Sequence, residues 1–216
     1  MINEAVKTGS KISAGIEGLD DIMGGGFPAV HLYLIEGDPG TGKTTLALQF
    51  LLEGVARGEK SLYVTLSESK QELLDVAKSH AWSLDGIEIF ELLPEEENLR
   101  PDGQYTVFHP SEVELADTTK SVIDEVKRLE PSRVIIDSLS ELRMLARDPL
   151  RYRRQILSLK QFFVGRKCTV LLLDDRTSEG QDTQLQSIAH GVISLEQLTP
   201  AYGASRRRLR VAKLRG

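Results

Sequence analysis

In the segment LYLIEGDPGTGKTTLALQF, Gly37 is followed by four residues and then by Gly42-Lys43-Thr44. That is the G-x-x-x-x-G-K-[ST] spacing of a phosphate-binding P-loop. The chemistry requires these residue types. Gly37, Gly40 and Gly42 admit backbone conformations that turn successive N–H groups inward around phosphate oxygens. The helix that opens at Thr44 adds unpaired N–H donors and the positive end of its dipole. Lys43 would reach the β- and γ-phosphates, and the Thr44 hydroxyl would ligate Mg²⁺. The candidate phosphate-binding set is therefore Gly37, Asp38, Pro39, Gly40, Thr41, Gly42, Lys43, Thr44 and Thr45. The competing reading is a tight strand–helix turn with an exposed lysine. A strand-like run before the loop and a helical run after it weigh against that.

Two carboxylates complete the candidate site. In RVIIDSLSEL, Asp137 ends the apolar run Val134-Ile135-Ile136. This is the Walker B arrangement, a strand that delivers a carboxylate beside the P-loop to hold the metal shell. Hydrolysis also needs a base or water-orienting group. In LYVTLSESK the only carboxylate is Glu68. If that strand neighbours the P-loop strand, Glu68 emerges in the same crevice. The competing reading is a solvated acid in front of the Ser69 helix cap, and the residues alone leave the two evenly matched.

Other patterns carry less. Gly24-Gly25-Gly26-Phe27-Pro28-Ala29 formally fits G-x-G-x-x-A. It follows no strand, and Pro28 stands where a dinucleotide-binding helix would begin, so it reads as a turn. The two asparagines, Asn3 and Asn98, begin no NKxD guanine-specificity motif, which favours ATP. His31, His80, His109 and His190 lack metal-ligand spacing, and Trp82 reads as core. No G-x-S-x-G elbow offers acyl chemistry.

The elements that must position these residues alternate. Strand candidates are His31–Glu36, Ser61–Leu66, Val134–Asp137 and Cys168–Asp174, apolar throughout, as expected of strands covered on both faces. Helical stretches lie between them. Thr44–Gly58 places Leu46, Phe50, Leu51 and Val55 on one side. Ser69 with Glu72, and Ser111 with Glu114, read as capping boxes. Asp148-Pro149 supplies a cap and a first-turn proline for a helix reaching about Val164. From about Ser187 the pattern changes to short strands, Gly191–Glu196 and Arg207–Lys213, around a turn at Thr199–Gly203. The expected fold class is α/β: a mostly parallel P-loop sheet, helices on both faces, and a short antiparallel C-terminal extension.

Composition sets the bounds. At about 150 residues per domain, 216 residues suggest one large α/β domain or one with an appendage. Apolar residues make up 40% and charged residues 27%, an ordinary globular balance. Apolar runs such as Val170–Leu173 fall far short of the ~20 residues of a membrane helix. The N-terminus lacks a signal peptide's apolar stretch, and the lone Cys168 makes no internal disulfide. A cytoplasmic location is expected. The net charge of −5 hides an asymmetry: residues 203–216 hold six basic groups and no acid. Taken alone, such an end usually reads as a solvated tail.

With these residues in hand, the chain resembles the KaiC-like branch of the RecA superfamily of ATPases. The likeness runs from SAGIEGLDDIMGGGFPAVHLYLIEGDPGTGKTTLALQFL through YVTLSES and RVIIDSLS to RRRLRVAKLRG. The P-loop is widely shared; the glycine-rich lead-in and the terminal KLRG are more specific. The resemblance implies one RecA-like ATPase domain over 1–216, cut at its C-terminal end from a longer protein. It implies ATP and Mg²⁺ as cofactors, and self-association into a ring, commonly a hexamer, with nucleotide between neighbours. KaiC-type domains carry two adjacent glutamates after the second strand. Here Ser67 precedes Glu68, so only the second is retained. The resemblance makes Glu68 the catalytic base and leaves slow hydrolysis open. By the KLRG match, Lys213 and Arg215 reach the neighbour's γ-phosphate in the manner of an arginine finger. Arg206–Arg208 take no such role and remain solvated or line a pore. Some KaiC domains phosphorylate themselves; LQSIAHG offers only Ser187 beside Gln186, so autokinase activity is not expected. Two other readings compete: a nucleotide-gated signalling scaffold with little hydrolysis, and a recombinase-like DNA-binding ATPase. A signalling partner is expected but not identified by any motif, nucleic acid is disfavoured by the acidic domain, and no membrane contact is expected.

Overall fold

The computed structural model describes residues 10–92, 110–176, 183–200 and 202–215. A short antiparallel pair, β1 (Lys11–Ile12) and β2 (Phe27–Pro28), flanks α1 (Glu17–Ile22). The main sheet follows: β3 (Leu32–Gly37), α2 (Lys43–Ala56), β4 (Ser61–Thr65), α3 (Lys70–Ser79), β5 (Ile87–Glu91) and α4 (Pro110–Leu129). It continues with β6 (Arg133–Asp137), α5 (Leu139–Ala146), α6 (Pro149–Phe163), β7 (Thr169–Asp175), α7 (Thr183–Ile188), β8 (Gly191–Leu198) and β9 (Arg206–Leu214).

Seven strands form one sheet in the order β5-β4-β6-β7-β3-β8-β9, parallel except for the β8–β9 pair. The expected α/β class holds, with one refinement. β8 extends the parallel sheet beside β3, and only β9 runs antiparallel. The basic end is thus an edge strand rather than a tail. Its charged side chains are the kind that keep an edge from pairing with another chain.

Period-two side-chain direction divides the core into two layers. Leu34, Val64, Ile136 and Leu172 pack under α4 through α7; Ile35, Tyr63, Ile135 and Leu173 pack under α1 through α3. Each fully buried aliphatic or aromatic side chain contributes roughly 1.5–3 kcal/mol, so both layers stiffen the strands that carry the site. Arg133 is wholly buried on the α1–α3 side and ties that layer to the N-terminal segment. Its guanidinium donates to Glu59 at 2.5 Å and to the carbonyls of Ser13 and Phe50.

Local signals explain most element ends. Ser69 and Glu72 form the reciprocal capping box, and Asp148 caps α6 through Leu150 N and Arg151 N ahead of Pro149. The side chains of Ser111 and its neighbours lie outside the described residues. Gly24-Gly25-Gly26 is a turn, each with positive φ; a Cβ on Gly26 would stand 2.1 Å from the Ile12 carbonyl oxygen. Lys11 donates to the carbonyls of Met23 and Gly24 and pins this turn to β1.

Candidate functional site

The P-loop joins β3 to α2 at the carboxyl end of the sheet. Gly40 and Gly42 have φ of 81° and 102°, a left-handed backbone that glycine adopts without strain. At Gly37 a Cβ would lie 2.5 Å from the Leu195 carbonyl oxygen and 2.7 Å from Thr41 Oγ1, so only glycine fits between the loop and β8. Lys43 folds back over the loop. Its Nζ donates to the carbonyls of Gly37 (2.9 Å) and Asp38 (3.1 Å) and pairs with Asp175 at 2.6 Å.

Asp137 arrives from β6 and is buried. The Tyr63 hydroxyl donates to its Oδ2 at 2.5 Å, and the Thr44 hydroxyl hydrogen-bonds in the same cluster. Burial raises the Asp137 pKa. The Tyr63 hydrogen bond and the nearby Lys43 oppose the rise, whereas Asp175 reinforces it. The same burial, with the Asp137 charge, pushes the Tyr63 phenol well up and keeps it a donor. Thr44 and Asp137 together are a hard-oxygen pair suited to Mg²⁺. Such an ion takes one or two protein groups and draws the rest from phosphate and water.

Glu68 reaches this crevice by a different route from the one expected. β4 does not neighbour the P-loop strand; β6 and β7 stand between β4 and β3. The carboxyl ends of all four strands are aligned, however. The turn after β4 is fastened by Thr65, whose hydroxyl donates to the Glu68 carbonyl at 2.6 Å and accepts from its N–H. Ser67 is exposed and Glu68 half-buried, so the glutamate this chain retains is the one facing inward. Its Oε2 is buried without a hydrogen-bond partner. Burial, then Asp137, Glu72 and Asp175, raise its pKa, and Lys43 pulls it back in part.

Lys213 and Arg215 lie elsewhere. β9 pairs Lys213 with Val192, and the Arg215 amide donates to the carbonyl of His190, the residue just before β8. Both residues therefore lie toward the amino end of the sheet, about 10 Å (Lys213) and about 17 Å (Arg215) along β3 from the P-loop at 3.3 Å per residue. Lys213 donates to the carbonyls of Gln186 and Ala189, and Arg215 to that of Ser187, all at the end of α7. The other end of β9 flanks the P-loop: a Cβ on Gly42 would lie 3.9 Å from an Arg207 guanidinium nitrogen. Arg208 pairs with Glu196. Both arginines are exposed.

Sequence reading missed Asp175, Tyr63 and a second carboxylate network. Asp175 stands directly opposite Gly37 in the β3–β7 register. Its signal was present, an acid closing a strand-like run, as for Asp137. Tyr63 gave none, because an aromatic in a buried strand reads as core. On the far side of the loop, Glu36 accepts from Arg176, Gln186 and Ser194. Burial would raise its pKa, but these bonds outweigh it and hold the carboxyl low.

The KaiC ATPase family model matches residues 12–216. A UPF0273 protein of Thermotoga maritima is 30% identical, with 95% of this chain aligned to 87% of that one. A UPF0273 protein of Pyrococcus horikoshii is 26% identical over 95% and 85% of the two chains. The circadian clock oscillator protein KaiC of Prochlorococcus marinus is 30% identical, with 95% of this chain aligned to 41% of the clock protein. Among the described residues no helix is long and apolar enough to cross a membrane.

Proposed function

The chain belongs to the KaiC ATPase family, and from that premise we propose that it binds ATP with Mg²⁺ at the carboxyl end of its sheet and hydrolyses it between the subunits of a ring, commonly a hexamer. The observation that carries this is the convergence of Lys43, Thr44, Asp137 and Glu68, from three separate segments, in one crevice. The P-loop amides cradle the β- and γ-phosphates, and Lys43 leaves Asp175 to meet them. Mg²⁺, held through Thr44 and Asp137, would neutralise charge that grows on the phosphate oxygens. Glu68 orients a water in line with the γ-phosphorus and takes its proton as the P–O bond to the leaving diphosphate breaks. The raised pKa set by its buried position makes it a stronger base than a solvated carboxylate.

Lys213 and Arg215 act in trans in this reading. Their place at the far end of the sheet supports it, since neither reaches its own P-loop. A ring in which each amino end meets the next carboxyl end is a heterologous, closing arrangement. The assembly so formed transmits the nucleotide state to a signalling partner.

Turnover of ATP by the wild type and by Lys43→Ala tests the site; equal rates remove the P-loop from the mechanism. Native mass with and without ATP tests the ring, and a mass that stays monomeric in both sinks it. The exposed Ser67, where a second glutamate would stand, favours one further reading: a nucleotide-gated scaffold with little hydrolysis. Glu68→Gln separates the two, because a scaffold variant still assembles with ATP and keeps its partner binding.

A further inference from the structure

At the amino end of the sheet four strand termini meet around a cavity of about 80 Å³. Its walls include His31, just before β3, His190, just before β8, and Cys168, just before β7. Lys160 of α6 and Arg215 after β9 complete the polar lining, over an apolar floor that includes Leu32 and Phe163. The imidazoles of His31 and His190 stack face to face, 3.7 Å between centroids and 9° apart. The volume equals two or three waters at ~30 Å³ each, which is the bulk of one tetrahedral oxyanion and far less than a nucleotide.

The charge around it has one sign. Lys160 donates to the Ile188 carbonyl at 2.6 Å, beside the carbonyls already taken by Lys213 and Arg215. Three cations thus converge on the end of one short helix. Among the described residues none of the three pairs with a carboxylate, and no lining residue is acidic. Carbonyl dipoles offset only part of such a cluster. His190 Nε2 is buried and has no hydrogen-bond partner. When protonated it is a donor that lacks an acceptor, and a bound oxyanion would provide one.

We propose that this cavity binds a phosphoryl-type oxyanion, held by Lys160 and Arg215 and by the stacked imidazoles of His31 and His190. Two sources supply that chemistry: free inorganic phosphate, and the terminal phosphate of a nucleotide held by the next subunit. The second source rests on the ring reading above; the first does not. Binding is coupled to proton uptake. Burial lowers the His31 pKa, and Lys160 lowers it further. Burial, then His31, Arg215 and Lys160, lower that of His190, against a hydrogen bond with the Arg215 backbone that raises it. Lys213 faces the same cluster and is itself held down by burial, Arg215 and Lys160. Cys168, whose thiol burial pushes up to about 11, stays neutral. An anion in the cavity favours the protonated imidazoles, so its affinity rises as pH falls.

The test follows the ring nitrogens of His31 and His190 by NMR in the full chain. Sodium sulfate is the probe, because its charge does not change between these pH values, and sodium chloride at matched ionic strength is the control. Sulfate should shift both rings saturably and raise both pKa values by about half a unit or more. Its Kd should tighten about threefold or more between pH 8 and pH 6. Lys160→Met should weaken it about tenfold, and Lys160→Arg should restore most of the affinity, which separates charge from folding. Rings that stay unmoved, that respond equally to chloride, or that respond unchanged in Lys160→Met overturn the proposal. ATP with Mg²⁺ then distinguishes the sources. A ring shift in wild type that vanishes in Lys43→Ala identifies the neighbour's nucleotide, and a shift with inorganic phosphate in both identifies the free ion. If ATP is never turned over but sulfate binds, the catalytic reading falls and this site stands. If turnover is normal and sulfate leaves the rings unmoved, the reverse holds.

Discussion

At the carboxyl end of the sheet Glu68, Asp137 and Asp175 crowd around one buried lysine; at the amino end Lys160, Lys213 and Arg215 crowd around one set of helix carbonyls. Each end has excess charge of one sign, and each shows it in the same way. The carboxylates Glu68 and Asp137 have raised pKa values, and Lys213 and the two histidines have lowered ones. Burial is the first cause in every case, and like-charge neighbours add to it. An isolated fold would gain by mixing the two sets. Keeping them at opposite ends of β3 costs stability in one chain, and in the proposed ring it would create complementarity between two. In a head-to-tail contact the cationic end of one subunit answers the phosphates gathered by the P-loop end of the next.

The largest effect should come from breaking that complementarity. Arg215→Ala should lower ATP turnover by about 10³-fold or more, with nucleotide affinity nearly unchanged. Lys43→Ala should be as inactive for a different reason. Mixed, the two should regain activity: an Arg215→Ala subunit keeps an intact P-loop, and a Lys43→Ala subunit offers it an intact Arg215. A mixture as dead as its parents would show that both residues serve one subunit, and the two-ended picture would fail.

Next in size is Glu68→Gln, which should cost about 10²-fold or more in turnover while ATP still binds and assembly persists. Because burial and its acidic neighbours raise the Glu68 pKa, the acid limb of the wild-type rate profile should lie above the ordinary carboxylate value of about 4.3. Activity is lost as pH falls through that raised pKa, since the base must be ionised. A limb at the ordinary value would place Glu68 in solvent, outside the crevice. Asp175→Asn should act more mildly. It removes the carboxylate that competes with phosphate for Lys43, so the Kd for ATP should tighten by about three- to tenfold; a weaker Kd would mean Asp175 positions the lysine for phosphate rather than competing with it.

The sequence made one end far more legible than the other. The P-loop, Asp137 and the Ser69 and Asp148 caps are local patterns, decided within a few residues of chain, and the structure keeps them. What could not be read depends on strand order. Asp175 meets Lys43 only because β7 lies against β3, and Tyr63 meets Asp137 only because β4 lies against β6. His31 and His190 stack because β8 lies against β3. No spacing between residues so far apart in sequence announces a face-to-face pair. α5 escaped for a local reason: Ser138 makes no side-chain cap bond, and Arg147 ends the helix in a left-handed conformation without the usual glycine. The basic end is legible as well, and the expected strand at Arg207–Lys213 is β9. Charge alone suggests a solvated tail, while the alternation of Leu209 and Val211 with arginines marks a strand with one packed face.

The smallest effect tests the electrostatic cost directly. A folded carboxyl with a raised pKa holds more protons than the unfolded chain between its unfolded and folded pKa values, so stability falls as pH rises through that window. Above it the whole cost is present; below the unfolded pKa it is absent. Glu68→Gln removes the charge and keeps the shape, so at pH 7.5 without nucleotide its Tm should rise by about 2 °C. The gain should shrink as pH is lowered and vanish near pH 4, where wild-type Glu68 is itself protonated. A variant that is inactive and more stable marks a residue held at a functional site against its own electrostatics. A variant that melts lower would mean that Glu68 has found a cation in solution, and the carboxyl end would then not be short of positive charge.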